Sequence, residues 1–216
     1  MKQKYKDDLV DIIPLNSGGS YALMEEMLNI VRMLKYVQGS DLKEVNPRFS
    51  KICSKKKLTT LADRKYLEVV NDLFTIGKIG LELLMSTDIP KWTYKEYYHT
   101  PELIKIMREP DFHTFLYPQF PKENPYIIPD ALIVFRGKKL KLQFLEIEAE
   151  KPNWDSYLEK KRQNYLKLAR DKQVYTYWFV MSKKFQLPCP PIEEFYFSVR
   201  FTGCKKDWGE GFVFGK

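Results

Sequence analysis

The chain has 216 residues, with Lys+Arg 36 against Asp+Glu 28, a formal net charge of +8, and it is 44% hydrophobic and 15% aromatic. That composition excludes a disordered chain, a collagen-like chain and a disulfide scaffold. The length suits one domain, or one domain with an appended module, and the modest basic excess suits a polyanion partner without requiring one. Two histidines, His99 and His113, leave no His-rich metal cage. Cys53, Cys189 and Cys204 form no CxxC pair, which excludes a zinc ribbon, and they read as reduced thiols of a cytoplasmic protein. The N-terminal stretch lacks the apolar core of a signal peptide, and no run of about 18 apolar residues predicts a transmembrane helix.

Asn16-Ser17-Gly18-Gly19-Ser20 reads as a loop and a helix start. Leu23, Met27, Ile30, Val31 and Leu34 then recur at helical spacing over 21–37. Gly39-Ser40-Asp41 ends that helix and starts a short second one, which Pro47 breaks. Lys55-Lys56-Lys57 reads as a basic loop. A third helix is expected over 60–74, with Arg64 and Lys65 near its start, then a turn at Gly77-Lys78-Ile79-Gly80 and a strand over 81–85. Three short helices and a glycine-turned hairpin fit a winged-helix module, in which Arg64 and Lys65 would contact nucleic acid. They fit an ordinary helical subdomain as well. Residues 92–116 read as mixed, cut by Pro101 and Pro110, with dense aromatics that suit either packing or base stacking.

Residues 127–135 and 140–150 form a predicted β-hairpin around Arg136-Gly137-Lys138-Lys139. Both strands are apolar on both sides near their centres, as in a buried sheet. Alternation puts Leu142, Phe144, Glu146 and Glu148 on one face, the two glutamates about 7 Å apart, with Asp130 near their level. Three carboxylates on a buried sheet repel one another and lose hydration, a conflict that Mg²⁺ would resolve. Solvation of Glu148 and Glu150 at an exposed strand end is the simpler alternative. A helix capped by Asp155 or Ser156 follows, with an inner stripe Trp154, Leu158, Lys161, Tyr165, Leu168. Lys161 on that stripe calls for an anionic partner, and the strand-end glutamates are the nearest in sequence. Further strands are expected over 174–181, 195–201 and 209–215. Charge is uneven: residues 136–172 hold 11 basic against 6 acidic side chains, around the buried acids.

The series Pro129-Asp130, Glu146-Ile147-Glu148, then a helix with Lys161 and Tyr165, resembles the PD-(D/E)xK nuclease superfamily over roughly 92–182. The resemblance implies an α/β fold, a restriction-endonuclease-like αβββαβ core over 91–216 behind a helical or winged-helix module over 1–90. It implies a Mg²⁺- or Mn²⁺-dependent DNA endonuclease in which Asp130, Glu146 and the Ile147 carbonyl hold the ion. Glu148 would bind metal or act as base, Lys161 would position water or offset phosphate charge, and Glu96 or Glu102 would be an upstream acid. Lys138, Lys139, Lys141, Lys151 and Lys160 would meet phosphates, or remain ordinary solvated lysines. The motif lysine is Glu148 here, a departure some restriction enzymes share. In other members the lysine sits on the following helix, as Lys161 does, and Lys161-x-x-x-Tyr165 is similar to the Gln-x-x-x-Tyr helix of RecB-like nucleases. The helical front end also resembles replication-relaxation proteins of mobile elements, which leaves a homodimer and a partner protein of such a machine both open. A non-catalytic DNA-binding replication or transposition accessory protein is the alternative reading, and a structural protein of a phage or plasmid is a third.

Overall fold

The computed structural model describes residues 19–86, 88–118, 128–148, 153–170, 173–195, 197–202 and 213–214. Expectations for residues 16–18, Glu150, Lys151, Cys204 and most of 209–215 lie outside the described residues. The chain divides into two compact units, Met1–Glu109 and Pro110–Lys216. This division falls C-terminal to the expected boundary at 90/91, so the segment around Glu96 and Glu102 belongs to the first unit.

The first unit opens with α1 (Gly19–Leu34), whose Met24, Met27, Leu28, Val31 and Leu34 are buried at helical spacing. Arg32 is buried among them and donates to the Asp88 carbonyl. Helix α2 (Gly39–Val45) ends at Asn46, whose side chain accepts from the Arg48 amide at 3.0 Å and starts a 3₁₀ turn over Pro47–Lys51. Helix α3 (Lys55–Asp63) follows, capped by Ser54, whose hydroxyl accepts from the Lys57 amide. Strands β1 (Leu67–Val70) and β2 (Leu73–Ile76) pair antiparallel across Asn71-Asp72. Both turn residues have positive φ, 48° and 61°, the pattern of a tight I′ hairpin. Val37 adds an antiparallel bridge to Phe74. Helices α4 (Lys78–Leu84) and α5 (His99–Met107) complete the unit.

Three expectations change here. Lys55-Lys56-Lys57 is the first turn of α3, not a loop, because Ser54 caps it. The expected helix over 60–74 ends at Asp63: Lys65 takes φ 63° and turns the chain into the hairpin, so Arg64 and Lys65 lie past the helix end. The expected turn over 77–80 and strand over 81–85 give way to α4, which runs Lys78–Leu84 between Gly77 and Met85. Gly77 precedes that helix where the chain crosses close over the backbone carbonyls of Lys65 and Leu67, leaving no room for a Cβ.

The second unit is a five-stranded sheet in the order β3-β4-β5-β6-β7. Strands β3 (Phe112–Leu116), β4 (Ala131–Arg136) and β5 (Leu140–Ile147) form an antiparallel meander. Helices α6 (Trp154–Arg170) and α7 (Gln173–Phe185) then carry the chain to β6 (Phe197–Thr202), parallel to β5. Strand β7 (Val213–Phe214) pairs antiparallel with β6. On one face Leu132, Val134, Leu142, Phe144, Val199 and Phe201 pack against Tyr165 and Leu168 of α6 and Trp178 and Met181 of α7.

The expected strand over 174–181 is a helix. Val174, Trp178 and Met181 are buried while Thr176, Phe179 and Val180 are exposed, a 3.6-residue period beneath a strand-like composition. Helix α6 begins at Trp154, so Asp155 and Ser156 stand in its first turn rather than capping it, and the Ser156 hydroxyl donates to the Asn153 carbonyl at 3.0 Å. Among the described residues no helix is long and apolar enough to cross a membrane.

Phe144 is fully buried, its ring 5.5 Å from Tyr165 and 5.0 Å from Phe197, so it seats α6 on the sheet. Phe144→Ala is expected to cost about 3–5 kcal/mol in urea unfolding.

Candidate functional site

The site forms where β4 begins and β5 ends. The register pairs Ala131 with Leu145, and one step further Asp130 faces Glu146 closely enough for that acid to raise its carboxyl. Main-chain pairing changes at this level. The Asp130 amide donates to the Leu145 carbonyl at 3.0 Å, and the Ile147 amide donates to Asp130 Oδ2 at 2.6 Å. A side chain thus replaces a ladder partner just where Pro129 interrupts the strand. On the other edge the Glu148 amide donates to the Thr202 carbonyl at 2.9 Å, which carries β5–β6 pairing one residue beyond the strand. The two acid-bearing residues at the end of β5 are therefore held from both sides.

Helix α6 faces them with Tyr157, Lys161 and Tyr165 at i, i+4 and i+8. Four helical residues rise about 6 Å. Two strand residues rise about 6.7 Å. The steps match closely enough for one helix face to read both glutamates. Lys161 Nζ donates to Glu146 Oε2 and to Glu148 Oε1. The Tyr165 hydroxyl donates to Glu146 Oε1 at 2.6 Å, and the Tyr157 hydroxyl donates to Glu148 Oε1. The Tyr157 ring also lies under the ammonium, 5.4 Å from Nζ to centroid.

Burial sets the protonation states. Glu146 is 1% exposed and Glu148 8%. Burial, reinforced by Glu146, pushes the Asp130 carboxyl up to about 7, while the Ile147 amide and Lys161 hold it back. Burial raises Glu146 as well, against the pull of Lys161 and Tyr165. Burial alone would lower Lys161, but Glu146 and Glu148 outweigh it and keep the ammonium charged. Burial and Glu146 together hold the Tyr165 phenol protonated. Removing one partner from such a buried ion pair costs several kcal/mol, about 3–5, because the other charge is left without compensation.

Among the described residues no three His, Cys, Asp or Glu side chains gather into a group able to hold a metal ion. Glu146 and Glu148 turn toward Lys161, so the third carboxylate expected from alternation is engaged with a lysine. The Asp130 and Glu146 carboxylates and the Ile147 carbonyl are oxygen donors, but both Glu146 oxygens already accept from Lys161 and Tyr165, and Asp130 Oδ2 accepts from the Ile147 amide. In a strand a residue's N–H and C=O point to the same side, so that carbonyl shares the side of the Asp130-bound amide. Hard oxygens of this kind suit a hard divalent cation, which would have to displace those contacts to be held here.

Other candidates are placed more simply. The Glu96 carboxylate accepts from the Thr93 amide at 2.6 Å, and Glu102 pairs with Lys105 at 2.7 Å. Both acids have local roles within the first unit. Lys138, Lys139 and Lys160 are exposed. Lys141 is half-buried over the Phe135 ring. Tyr157 was not singled out from the sequence, although its place four residues before Lys161 was the available signal. No family model matches the chain, and neither a curated protein nor a solved structure does.

The raised Asp130 has a consequence for stability. Below about pH 4 the group is protonated in both folded and unfolded states. As pH rises toward about 7 the unfolded chain loses that proton first, so the folded state loses stability across this window and none above it. Asp130→Asn removes the charge and keeps an oxygen for the Ile147 amide. Its melting midpoint is expected to match wild type at pH 4 and to exceed it by about 5 °C at pH 8, read by circular dichroism.

Proposed function

We propose that the second unit is a divalent-metal-dependent DNA endonuclease on a restriction-endonuclease-like core. The observation that carries this reading is the Lys161–Glu146 contact: a lysine from the crossover helix reaching a buried acid opposite Asp130. The element order supports it. An antiparallel meander, a helical crossover and a strand parallel to β5 match the βββαβ part of an αβββαβ core with α7 added, and the helix that precedes them in the chain, α5, belongs to the first unit.

A divalent ion held by Asp130, Glu146 and the Ile147 carbonyl would polarise a phosphodiester and make water a stronger nucleophile. Tyr165 fixes the Glu146 carboxylate by its hydroxyl. Lys161, held by the buried Glu146, supplies fixed positive charge where charge on a phosphate develops. Glu148 is the acceptor for the water proton.

The first unit supports a DNA-binding role. Three helices, a tight hairpin and a bridge from the α1–α2 link to β2 are the order of a winged helix. In that order α3 takes the recognition position, and its first turn exposes Lys55 and Lys56. A helical module in front of such a core also supports kinship with the replication-relaxation proteins of mobile elements.

One observation favours a second reading, a DNA-binding accessory protein on a degenerate site. Lys161 satisfies both glutamates at once, and an acid occupies the usual lysine position.

Nicking of supercoiled plasmid in Mg²⁺ or Mn²⁺ distinguishes them. Wild type is expected to cut and to stop in chelator, and Asp130→Asn and Glu146→Gln each to lose about a hundredfold or more in rate. Full activity in either variant removes the site assignment, and binding without cleavage leaves the accessory reading. In filter-binding or fluorescence titrations, affinity for duplex DNA should fall steeply and linearly in log–log form as salt rises.

A further inference from the structure

We propose that Tyr157 is the positioning residue that holds Lys161 between Glu146 and Glu148, an assignment that rests on the nuclease reading of this site. Tyr157 touches both members of the outer ion pair. Its hydroxyl donates to Glu148 Oε1, the same oxygen that accepts from Lys161, and its ring lies under the Lys161 ammonium.

The geometry explains why one residue does both. Tyr157 stands one helical turn before Lys161, so its ring extends along the helix face toward the strand end where Glu148 lies. Tyr165, one turn after, does the same for Glu146. The lysine is therefore centred by a phenol on each side. Tyr165 is fully buried and belongs to the core, so its replacement would disturb packing. Tyr157 is half-buried and can be altered with less effect on the fold.

The two chemical parts of Tyr157 have separable effects. The hydroxyl fixes the Glu148 carboxylate, which otherwise rotates and draws the ammonium away from Glu146. The ring, its centroid 5.4 Å from Nζ, shields one side of the ammonium from water. Tyr157→Phe keeps the ring and loses the hydroxyl, whereas Tyr157→Leu loses both.

The test combines turnover with a measurement that does not depend on turnover. Plasmid nicking in Mg²⁺ is followed with DNA varied, and the ¹⁵N-labelled ammonium signal of Lys161, assigned by its loss in Lys161→Met, reports proton exchange with water. For Tyr157→Phe the expected result is about a tenfold fall in kcat with KM for DNA unchanged and the slowly exchanging ammonium signal retained. For Tyr157→Leu the ammonium protons are expected to exchange at least about tenfold faster, with melting midpoints of both variants within about 4 °C of wild type. Unchanged exchange in Tyr157→Leu overturns the positioning role, as does unchanged kcat in Tyr157→Phe when wild type cuts. If wild type does not cut, the nuclease reading fails, and the exchange measurement alone then decides whether Tyr157 holds Lys161.

Discussion

The ammonium of Lys161 between Glu146 and Glu148 is the contact on which the second unit's polar interior depends. Two glutamates one pleat apart, with Asp130 opposite one of them, would repel strongly in a sheet that excludes water. A lysine on a neighbouring surface loop would not suffice, because the cation must arrive desolvated and already aimed. Helix α6 provides that, since its stripe runs from the half-buried Tyr157 through Lys161 to the buried Tyr165 and Leu168. The apolar end of the stripe anchors the helix on Phe144, and the polar end then has little freedom over where it meets the acids. Packing and electrostatics are thus settled by one helix face.

Topology makes this arrangement possible. The parallel pairing of β5 with β6 requires a long crossover, and the crossover is the helix pair that covers the face on which Glu146 lies. The acids stand at the carboxyl end of β5, where main-chain pairing gives way to the Asp130 side chain on one edge and to Thr202 on the other. Ligand and metal sites commonly form at the carboxyl ends of strands in open sheets, because side chains and free carbonyls converge there. Lys160 and Arg162 flank Lys161 on α6 and are exposed, whereas Lys138 and Lys139 stand in the β4–β5 turn at the opposite end of the hairpin from the acids. Burial and the neighbouring Glu146 keep Asp130 as an acid whose ionisation costs stability.

The first unit shows how local backbone chemistry redirects a hydrophobic pattern. Leu61, Tyr66, Leu67 and Phe74 are all buried, as a helix over 60–74 would also require. The chain instead reverses at Lys65 and again at Asn71-Asp72, all three with positive φ. Asn and Asp tolerate that conformation, and paired at a two-residue turn they favour a hairpin. In the second unit the reverse error arose, since the aromatic and β-branched run around Tyr175, Tyr177 and Phe179 suggested a strand where burial at Val174, Trp178 and Met181 has the helical period. Local turn chemistry outweighed the hydrophobic pattern in the first place, and the helical period of burial outweighed strand propensity in the second.

By itself, the sequence determined the central hairpin, the shared face of Glu146 and Glu148, the level of Asp130 and the inward place of Lys161. Each follows from a short-range periodicity, two residues in a strand and about 3.6 in a helix. It also determined that a buried lysine needs a carboxylate, because desolvation is costly whatever the fold. The tertiary structure alone decided that Lys161 takes both glutamates rather than one, that Tyr157 joins them, and that the Asp130 side chain closes the end of the strand. These depend on how a helix rise of about 6 Å lies against a strand repeat of about 6.7 Å. That alignment is set by the packing of Phe144, Tyr165 and Phe197, residues far apart in the chain, and no local pattern encodes it.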